Sequence, residues 1–343
     1  MSRSSGHYWT VERLDSEHRH AVSQALSNIL ATDAALVTFA QIIDGLPICD
    51  IAWDTRGTKL TPQHPINSHI ELCPGATAKA EQFRNDFQLE ALVFKPELLQ
   101  CFQSSSTSSR SFALRLLELT VSAIHQIGVL LFQLKPRIHD RTTTGNLEVD
   151  EVTSWERPPD MWSRVVPHPT LFTQSHFVAH EQYPDGIADM VGYWAEDRIL
   201  GGVILFDHSS SWNEQNIEPN AYIHCGRDKI TYRICQLLDD QQSRLIEFLR
   251  SSEKPPKERK ARTNGPLPIL PSSDNRTRID QGDAIPVHKV YRDIWERAPP
   301  QKPRLRMQQY MDRRVLNELD YPELNFDEQM ERFNDLNSQP KDE

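Results

Sequence analysis

Cysteine is scarce in this sequence, and the few residues are scattered. The five cysteines, Cys49, Cys73, Cys101, Cys225 and Cys235, are an odd number, and no two of them have C-x-x-C spacing. Such a set is typical of reduced thiols and does not indicate a disulfide framework. The first twenty residues also lack the apolar segment of a secretory signal. We therefore expect a soluble, intracellular protein of the cytoplasm or nucleus.

The sequence also lacks an excess of basic charge. Its formal net charge is −10, with 38 Lys and Arg against 48 Asp and Glu. An acidic protein repels phosphate groups at long range. The composition therefore predicts a protein that binds neither nucleic acid nor an anionic membrane surface.

Long apolar runs are rare too, and Ser111–Leu134 is the one candidate for a membrane span. It contains Arg115, Glu118 and His125, and a charged side chain at the centre of a bilayer costs about 2.5–3.5 kcal/mol. Apolar residues lie on more than one side of the predicted helix, which indicates burial on more than one side. The run therefore predicts a core helix at the centre of the fold and no membrane contact.

Residues 1–150 predict a mainly helical N-terminal part. Apolar side chains recur at helical spacing from about Asp15 to Leu30, with Ser16 as the expected N-cap. A second helical pattern, Ala78–Gln103, is expected to break at Lys95, because the residue before a proline avoids the α region.

The N-terminal part also contains two short apolar runs that predict a hairpin. The runs Ala35–Ile43 and Leu46–Trp53 lie on either side of Asp44 and Gly45, a dipeptide typical of tight turns. We expect them to pair as antiparallel strands.

Residues 151–297 predict an α+β part. Two runs rich in Val, Ile and aromatic residues, Ala188–Trp194 and Ile199–Phe206, lie on either side of a polar Glu-Asp pair, so the segment 188–206 predicts an antiparallel hairpin. A third strand is expected at Ala221–Cys225. An amphipathic helix at about 229–250 would then cover one face of this sheet.

The sequence predicts an α+β fold, with a hairpin-based antiparallel sheet packed against several helices. Whether residues 1–150 and 151–297 form one domain or two stays open. Ala284–Arg297 is expected to return to the body through its aromatic residues. Residues 298–343 predict a charged, disordered tail, since 315–343 hold nine acidic side chains against Arg332 and Lys341.

The common catalytic and nucleotide-binding motifs are missing: the sequence holds no G-x-S-x-G elbow, no P-loop and no G-x-G-x-x-G after a strand. It predicts no cofactor. The catalytic candidates are His176, His180, Glu181 and Asp189. His176 and His180 are also the candidate metal ligands, because the i, i+4 spacing places two imidazoles on one face of a helix. The alternative is that these are ordinary core and surface side chains.

The tail offers a candidate partner-binding segment. Phe326, Met330 and Phe333 recur at i, i+4 and i+7 in an acidic background, so they would form a small apolar face able to enter a groove of a partner protein. The alternative is that this segment docks on its own body or stays disordered.

Several blocks of the sequence resemble a group of proteins of filamentous fungi without an assigned activity. The blocks are YPDGIADMVGYWAEDRILGGVILFDH, the upstream HPTLF, LLELTVSAIHQIGVLLFQL, and the later LPIL and VYRDIWER, and together they cover about residues 111–297. The resemblance implies a fungal origin and supplies no catalytic residues. It also implies that the predicted hairpin and the segment Tyr291–Arg297 belong to one unit.

The sequence as a whole favours a non-enzymatic interaction or regulatory protein. This hypothesis depends on the charged tail with its apolar residues and on the missing catalytic motifs. The alternative is an enzyme or an accessory protein of a fungal secondary-metabolite pathway, with its site near the hairpin.

Overall fold

A computed structural model describes residues 8–56, 60, 62–135, 139, 151–155, 168–209, 220–252, 265–297, 318–322, 331 and 334. The fold is α+β, as predicted. Its helices are α1 (Ser16–Leu30), α2 (Asp33–Asp44), α3 (Cys49–Trp53), α4 (Ala76–Asp86), α5 (Pro96–Ser104), α6 (Arg110–Gln133), α7 (Glu151–Ser154), α8 (Ile187–Leu200) and α9 (Asp239–Arg250). Short 3-10 turns lie at Val11–Arg13, Pro65–Ser68, Leu89–Ala91 and His180–Gln182.

Within the described residues, five strands form one antiparallel sheet. They are β1 (Val203–Asp207), β2 (Ala221–His224), β3 (Ile234–Gln236), β4 (Arg278–Ile279) and β5 (Val290–Tyr291), in the spatial order β4-β3-β2-β1-β5. Strand β2 is central, and β1 pairs with β2 on one side and with the edge strand β5 on the other. The expected return of Ala284–Arg297 to the body is confirmed, because β5 is an edge strand of this sheet.

Helix α6 is the predicted core helix and lies at the centre of the molecule. The Ser109 hydroxyl caps it by accepting from the Phe112 amide at 3.1 Å. By length and composition α6 can cross a membrane, as can the bent pair α1–α2 if counted as one span; no other described helix can. In an apolar 18-residue stretch of α6, 83% of the residues are buried within the protein. Its Arg115 and Glu118 form an internal ion pair, so α6 is packed as a core helix.

The predicted hairpin at 188–206 is wrong in its first half. Ala188–Trp194 belongs to helix α8, which ends at Gly201 with φ of 101°, a left-handed conformation that favours glycine. Nearly every residue of α8 is buried. A segment buried on all sides has no polar face, so periodicity does not distinguish helix from strand there. Of the second half, Ile199–Phe206, the first two residues still belong to α8, and the strand begins at Val203; β1 pairs with β2.

The predicted hairpin of Ala35–Ile43 with Leu46–Trp53 is also wrong, since the first run lies in α2 and the second is helical from Cys49 onward. The Thr32 hydroxyl caps α2 by accepting from the Ala35 amide at 3.1 Å. Gly45, with φ of 100°, ends α2. The predicted turn dipeptide therefore ends a helix, a role that glycine fills as readily as a hairpin turn.

Two further boundaries differ from the predictions. The expected helix 229–250 begins only at Asp239, and Ile234–Gln236 before it forms β3. Ile234, whose apolar side chain fits the helical spacing, is instead a buried residue of this strand. The N-cap of α1 is Asp15, whose carboxylate accepts from the His18 amide at 2.9 Å; Ser16 is the first helical residue.

The main apolar core is built from residues on both sides of position 150 in the sequence. Its buried side chains come from α1, α2, α5, α6, α8, α9 and the sheet, from Val11 to Ile269. A smaller cluster lies on the other side of the sheet and includes Phe177, Tyr193 and Val290. The tail residues Phe326, Met330 and Phe333 lie outside the described residues.

Candidate functional site

The candidate site lies where α6 crosses α8. A Cβ built on Gly128 would lie 3.1 Å from the Cα of Gly192, and one built on Gly192 would lie 2.7 Å from the His125 ring. Since neither glycine carries a side chain, the two helices approach closely and the His125 imidazole rests on the backbone of α8. This contact places His125 among the polar side chains of α8.

His125 is held between two carboxylates of α8. Its Nε2 lies 3.0 Å from Asp189 Oδ1, and its Nδ1 lies 2.8 Å from Glu196 Oε1. A ring with both nitrogens facing carboxylate oxygens is best satisfied when both are protonated. Burial lowers the pKa of His125, but the hydrogen bonds from Asp189 and Glu196 outweigh it, so the pKa is raised. The two flanking carboxylates therefore favour the imidazolium form of the ring.

The segment after β5 supplies a second cation. Arg292 Nη1 lies 2.7 Å from Glu196 Oε1, and Nη2 lies 3.3 Å from His125 Nδ1. The second contact suits a neutral ring that accepts from the guanidinium. The contact between His125 and Glu196 is shorter by half an ångström (3.3 against 2.8 Å), which favours the proton on Nδ1 and the charged ring.

Asp293 and Lys95 complete the group. Lys95 Nζ lies 2.5 Å from Asp293 Oδ1. Burial raises the pKa of Asp293, but the nearby charges of Lys95 and Arg292 outweigh burial and lower it. With His125 protonated, three cations face three carboxylates: Lys95, His125 and Arg292 against Asp189, Glu196 and Asp293. We call these six residues the ion cluster. Its formal charges balance; the Lys95 side chain is 51% exposed, and Glu196 Oε2 has no hydrogen-bond partner among the described residues.

A small cleft opens above the ion cluster. It measures about 100 Å³, and its lining includes Tyr8, Lys95, His125, Asp189, Asp293 and Trp295. Ligand sites for small molecules usually measure about 300–1,000 Å³, so this cleft fits one side chain. A larger groove of about 480 Å³ between α1 and residues 84–90 shares none of this lining.

The predicted candidate residues lie in three places. Asp189 belongs to the ion cluster, where its Oδ2 also accepts from the Asp185 amide at 2.7 Å. His180 and Glu181 lie on a short 3-10 turn, with 3.6 Å between Nε2 and Oε1, and the Glu181 side chain is 81% exposed. His176 lies elsewhere, stacked on His224 with ring centroids 3.9 Å apart. The structure therefore does not bring His176 and His180 together on one helix.

The stacked pair His176–His224 is held uncharged. His224 Nε2 donates to the Tyr232 carbonyl oxygen at 2.9 Å, and its Nδ1 accepts from Arg297 Nη2 at 2.9 Å. Burial, with the nearby Arg297, lowers the pKa of His176 to about 4. Burial likewise lowers the pKa of His224 well below its ordinary value. Both rings are neutral at pH 7, and the hydrogen bonds of His224 fix its tautomer.

A second group of potential ligands lies on the N-terminal part of the chain. One donor atom each from Asp44, His69, Cys73 and His139 lies within 4.8 Å of every other. We call these four residues the metal-ligand quartet. Its donor types, one carboxylate, one thiol and two imidazoles, are all zinc ligands.

Sequence reasoning missed most of the residues in both sites. Of the ion cluster it singled out Asp189 as a candidate, and of the quartet no member. One signal was present: Arg115, Glu118 and His125 interrupt the most apolar helix of the chain. In the sequence analysis these three residues served only as an argument against a membrane span. A charged group inside a core helix also demands a buried partner, which would have pointed to the ion cluster.

Comparisons with known proteins add no function. No family model, no curated protein and no solved structure matches the chain. The resemblance to fungal proteins over residues 111–297 therefore stays a prediction.

Proposed function

We propose that this chain is a non-enzymatic interaction or regulatory protein of fungal origin that acts in the cytoplasm or nucleus. One observation carries the proposal: both ring nitrogens of His125 are bound by carboxylates. A general base needs a nitrogen with a free lone pair and a pKa near the working pH. An imidazolium with both nitrogens hydrogen-bonded to Asp189 and Glu196 offers no free lone pair, so the ion cluster acts as a structural clamp on His125.

Other potentially reactive groups are held in inert forms. Burial raises the pKa of the Cys225 thiol to about 12, so the thiolate that would act as a nucleophile is not formed at neutral pH. His176, with a pKa lowered to about 4, is a poor base at pH 7. These groups support a packing role for the centre of the molecule.

The residues next to the ion cluster form a segment suited to binding a partner protein. Arg292 and Asp293 are buried in the ion cluster, while the next side chain, Ile294, is 70% exposed. Trp295 and Tyr8 line the adjacent cleft. Aromatic side chains beside a pocket are typical anchors of protein interfaces. We propose that a partner protein covers Ile294 and inserts one apolar side chain into the cleft.

The test compares two exposed residues of similar size. Ile294→Asp would place a charge in the proposed interface, because its neighbours Asp293 and Trp295 line the cleft. Val287→Asp is the control, because Val287 is 64% exposed and neither of its neighbours in sequence lines the cleft. Full-length wild-type and variant proteins are used to capture partners, and each captured protein is then purified and its binding measured by calorimetry. We expect at least a tenfold weaker affinity for Ile294→Asp and an unchanged affinity for Val287→Asp.

Two results would count against the proposal. The first is a purified partner that binds the wild type and Ile294→Asp equally well. The second is the absence of any partner that binds the purified wild-type protein directly. Circular dichroism of both variants checks that the substitutions leave the fold intact.

The second candidate function is an enzyme or accessory protein of a fungal secondary-metabolite pathway. It is favoured by the cleft itself, where Lys95, His125 and Asp189 share one lining. The test compares metabolite profiles of cells that carry the wild type, Lys95→Met or no protein. An enzyme predicts that the same precursor accumulates in Lys95→Met cells and in cells without the protein. An interaction protein predicts no such precursor.

A further inference from the structure

We propose that the metal-ligand quartet, Asp44, His69, Cys73 and His139, is a closed divalent metal site for zinc. The proposal is independent of the ion cluster and of any partner protein. It depends on the way the chain gathers the four side chains, on the orientation of His69, and on a buried carboxylate oxygen that lacks a partner.

The chain brings His139 to Asp44 through backbone contacts. The His139 amide donates to the Asp44 carbonyl oxygen at 2.6 Å. A Cβ built on Gly45, the residue that ends α2, would lie 2.2 Å from the His139 carbonyl oxygen. Only glycine fits there, both for this contact and for its φ of 100°. His139 is thereby placed directly at the end of α2.

His69 is oriented as a metal ligand. Its Nδ1 donates to the Pro47 carbonyl oxygen at 3.0 Å, which leaves Nε2 directed at Asp44 Oδ2, also at 3.0 Å. Metal-ligating imidazoles usually donate their other ring N–H to a carboxylate or a backbone carbonyl in this way. Because the Nδ1 proton is used by Pro47, a neutral ring would turn its Nε2 lone pair toward an anionic oxygen. Only a second proton or a cation between the two atoms removes that repulsion.

Asp44 provides a second, independent observation. Its side chain is fully buried. Oδ2 accepts from the Cys73 amide at 3.3 Å, whereas Oδ1 has no hydrogen-bond partner among the described residues. A buried carboxylate oxygen without a partner is costly, and such atoms call for an ion or a water. A metal bound by Asp44 would supply the missing positive charge.

The donor set and its spacing favour zinc. Cys73 Sγ lies 3.1 Å from His139 Nε2. Tetrahedral zinc, with bonds of about 2.3 Å to sulfur and about 2.0–2.2 Å to nitrogen and oxygen, holds its ligand atoms about 3.4–3.6 Å apart. The Cys73–His139 pair, and the His69–Asp44 pair at 3.0 Å, need to open by only a few tenths of an ångström to meet this geometry, and all four donor atoms lie within 4.8 Å of one another. Four protein ligands leave no open position, which is typical of structural zinc and not of catalytic zinc.

The test uses full-length protein purified without chelators, with metal content measured by elemental analysis and with cobalt(II) as a spectroscopic probe. We expect about one zinc per chain. Cobalt(II) should give tetrahedral ligand-field bands and a thiolate-to-cobalt charge-transfer band. The metal content per chain should fall at least tenfold in Cys73→Ala and in His139→Ala. It should be unchanged in Cys101→Ala, because Cys101 is an exposed cysteine outside the quartet.

Three results would overturn the proposal: wild-type protein that stays metal-free after incubation with excess zinc, a cobalt spectrum without the thiolate band, or equal metal content in Cys73→Ala and wild type. The last result would indicate adventitious binding. Should the variants fail to fold, the wild type still decides, because stripping the metal must lower its melting temperature and zinc must restore it.

Discussion

At the level of single side chains, two buried tyrosines next to the ion cluster differ in their hydrogen bonds. Tyr183 Oη donates to the Glu296 carbonyl oxygen at 3.0 Å and accepts from the Ala179 amide at 3.3 Å. Tyr193 stacks on Phe177 and meets the edge of the His125 ring, but its hydroxyl has no hydrogen-bond partner among the described residues. The first hydroxyl therefore contributes to stability, and the second costs desolvation.

This difference predicts opposite effects for one chemical change. Tyr193→Phe should leave the free energy of unfolding unchanged or raise it, because it removes a buried hydroxyl without a partner. Tyr183→Phe should lower it by about 1–2 kcal/mol, because the Ala179 amide and the Glu296 carbonyl lose their partner. Urea unfolding of both variants measures the effect. Equal destabilisation by the two substitutions would contradict these hydrogen-bond assignments.

At the level of elements, the crossing of α6 and α8 depends on glycine in both helices. In an isolated helix, replacing Gly192 with alanine would be favourable by about 1 kcal/mol. At this crossing the new methyl group would lie 2.7–2.8 Å from three atoms of the His125 ring. The steric cost of this methyl group therefore exceeds the gain in helix propensity that alanine would bring.

We predict that Gly192→Ala lowers the free energy of unfolding by about 1–3 kcal/mol, the usual cost of overpacking a core. Gly282→Ala is the control, since a Cβ there meets no atom within 4 Å, and it should change stability little. Chemical denaturation of the two variants tests the difference. A stabilised Gly192→Ala protein would mean that the helices are not in close contact at this glycine.

The two central helices also mark what the sequence can predict. Helix α6 was predictable because polar residues such as Ser122 and Gln126 interrupt its apolar positions at helical spacing. Helix α8 was not, because its residues are buried on every side and β-branched and aromatic types favour a strand by propensity. Packing against α6 decides its conformation, and that contact joins residues more than sixty positions apart.

At the level of the whole molecule, the ion cluster was beyond sequence reasoning for a similar cause. Lys95, His125 and Arg292 come from separate parts of the chain, and no local spacing links them. The quartet is assembled in the same way, from a helix end, a loop and the stretch after α6. Both sites exist only once the α+β core has brought these parts together.

The stability of the whole chain should depend on pH with a maximum near neutrality. His176 and His224 have lowered pKa values, so between about pH 4 and 6.5 the unfolded chain binds more protons and the free energy of unfolding rises with pH. His125 has a raised pKa, so its contribution is complete below about pH 6.5 and is lost as the pH rises through its folded-state pKa.

Urea unfolding measured from pH 4 to 9 tests this dependence. We expect the free energy of unfolding to rise, reach a maximum and then fall. His176→Gln should flatten the acid side of this profile and leave the alkaline side unchanged. A free energy of unfolding that continues to rise above pH 7 would argue against a charged His125.

The central claim is that His125 is an imidazolium clamped between Asp189 and Glu196, and nitrogen NMR of histidine-labelled full-length protein tests it most directly. At pH 7 we expect both His125 nitrogens to have the shifts of protonated ring nitrogens, with two slowly exchanging N–H protons. The His125→Gln variant identifies these signals. A neutral ring with one bare nitrogen at pH 7 would contradict the clamp, because that nitrogen would be free to act as a base.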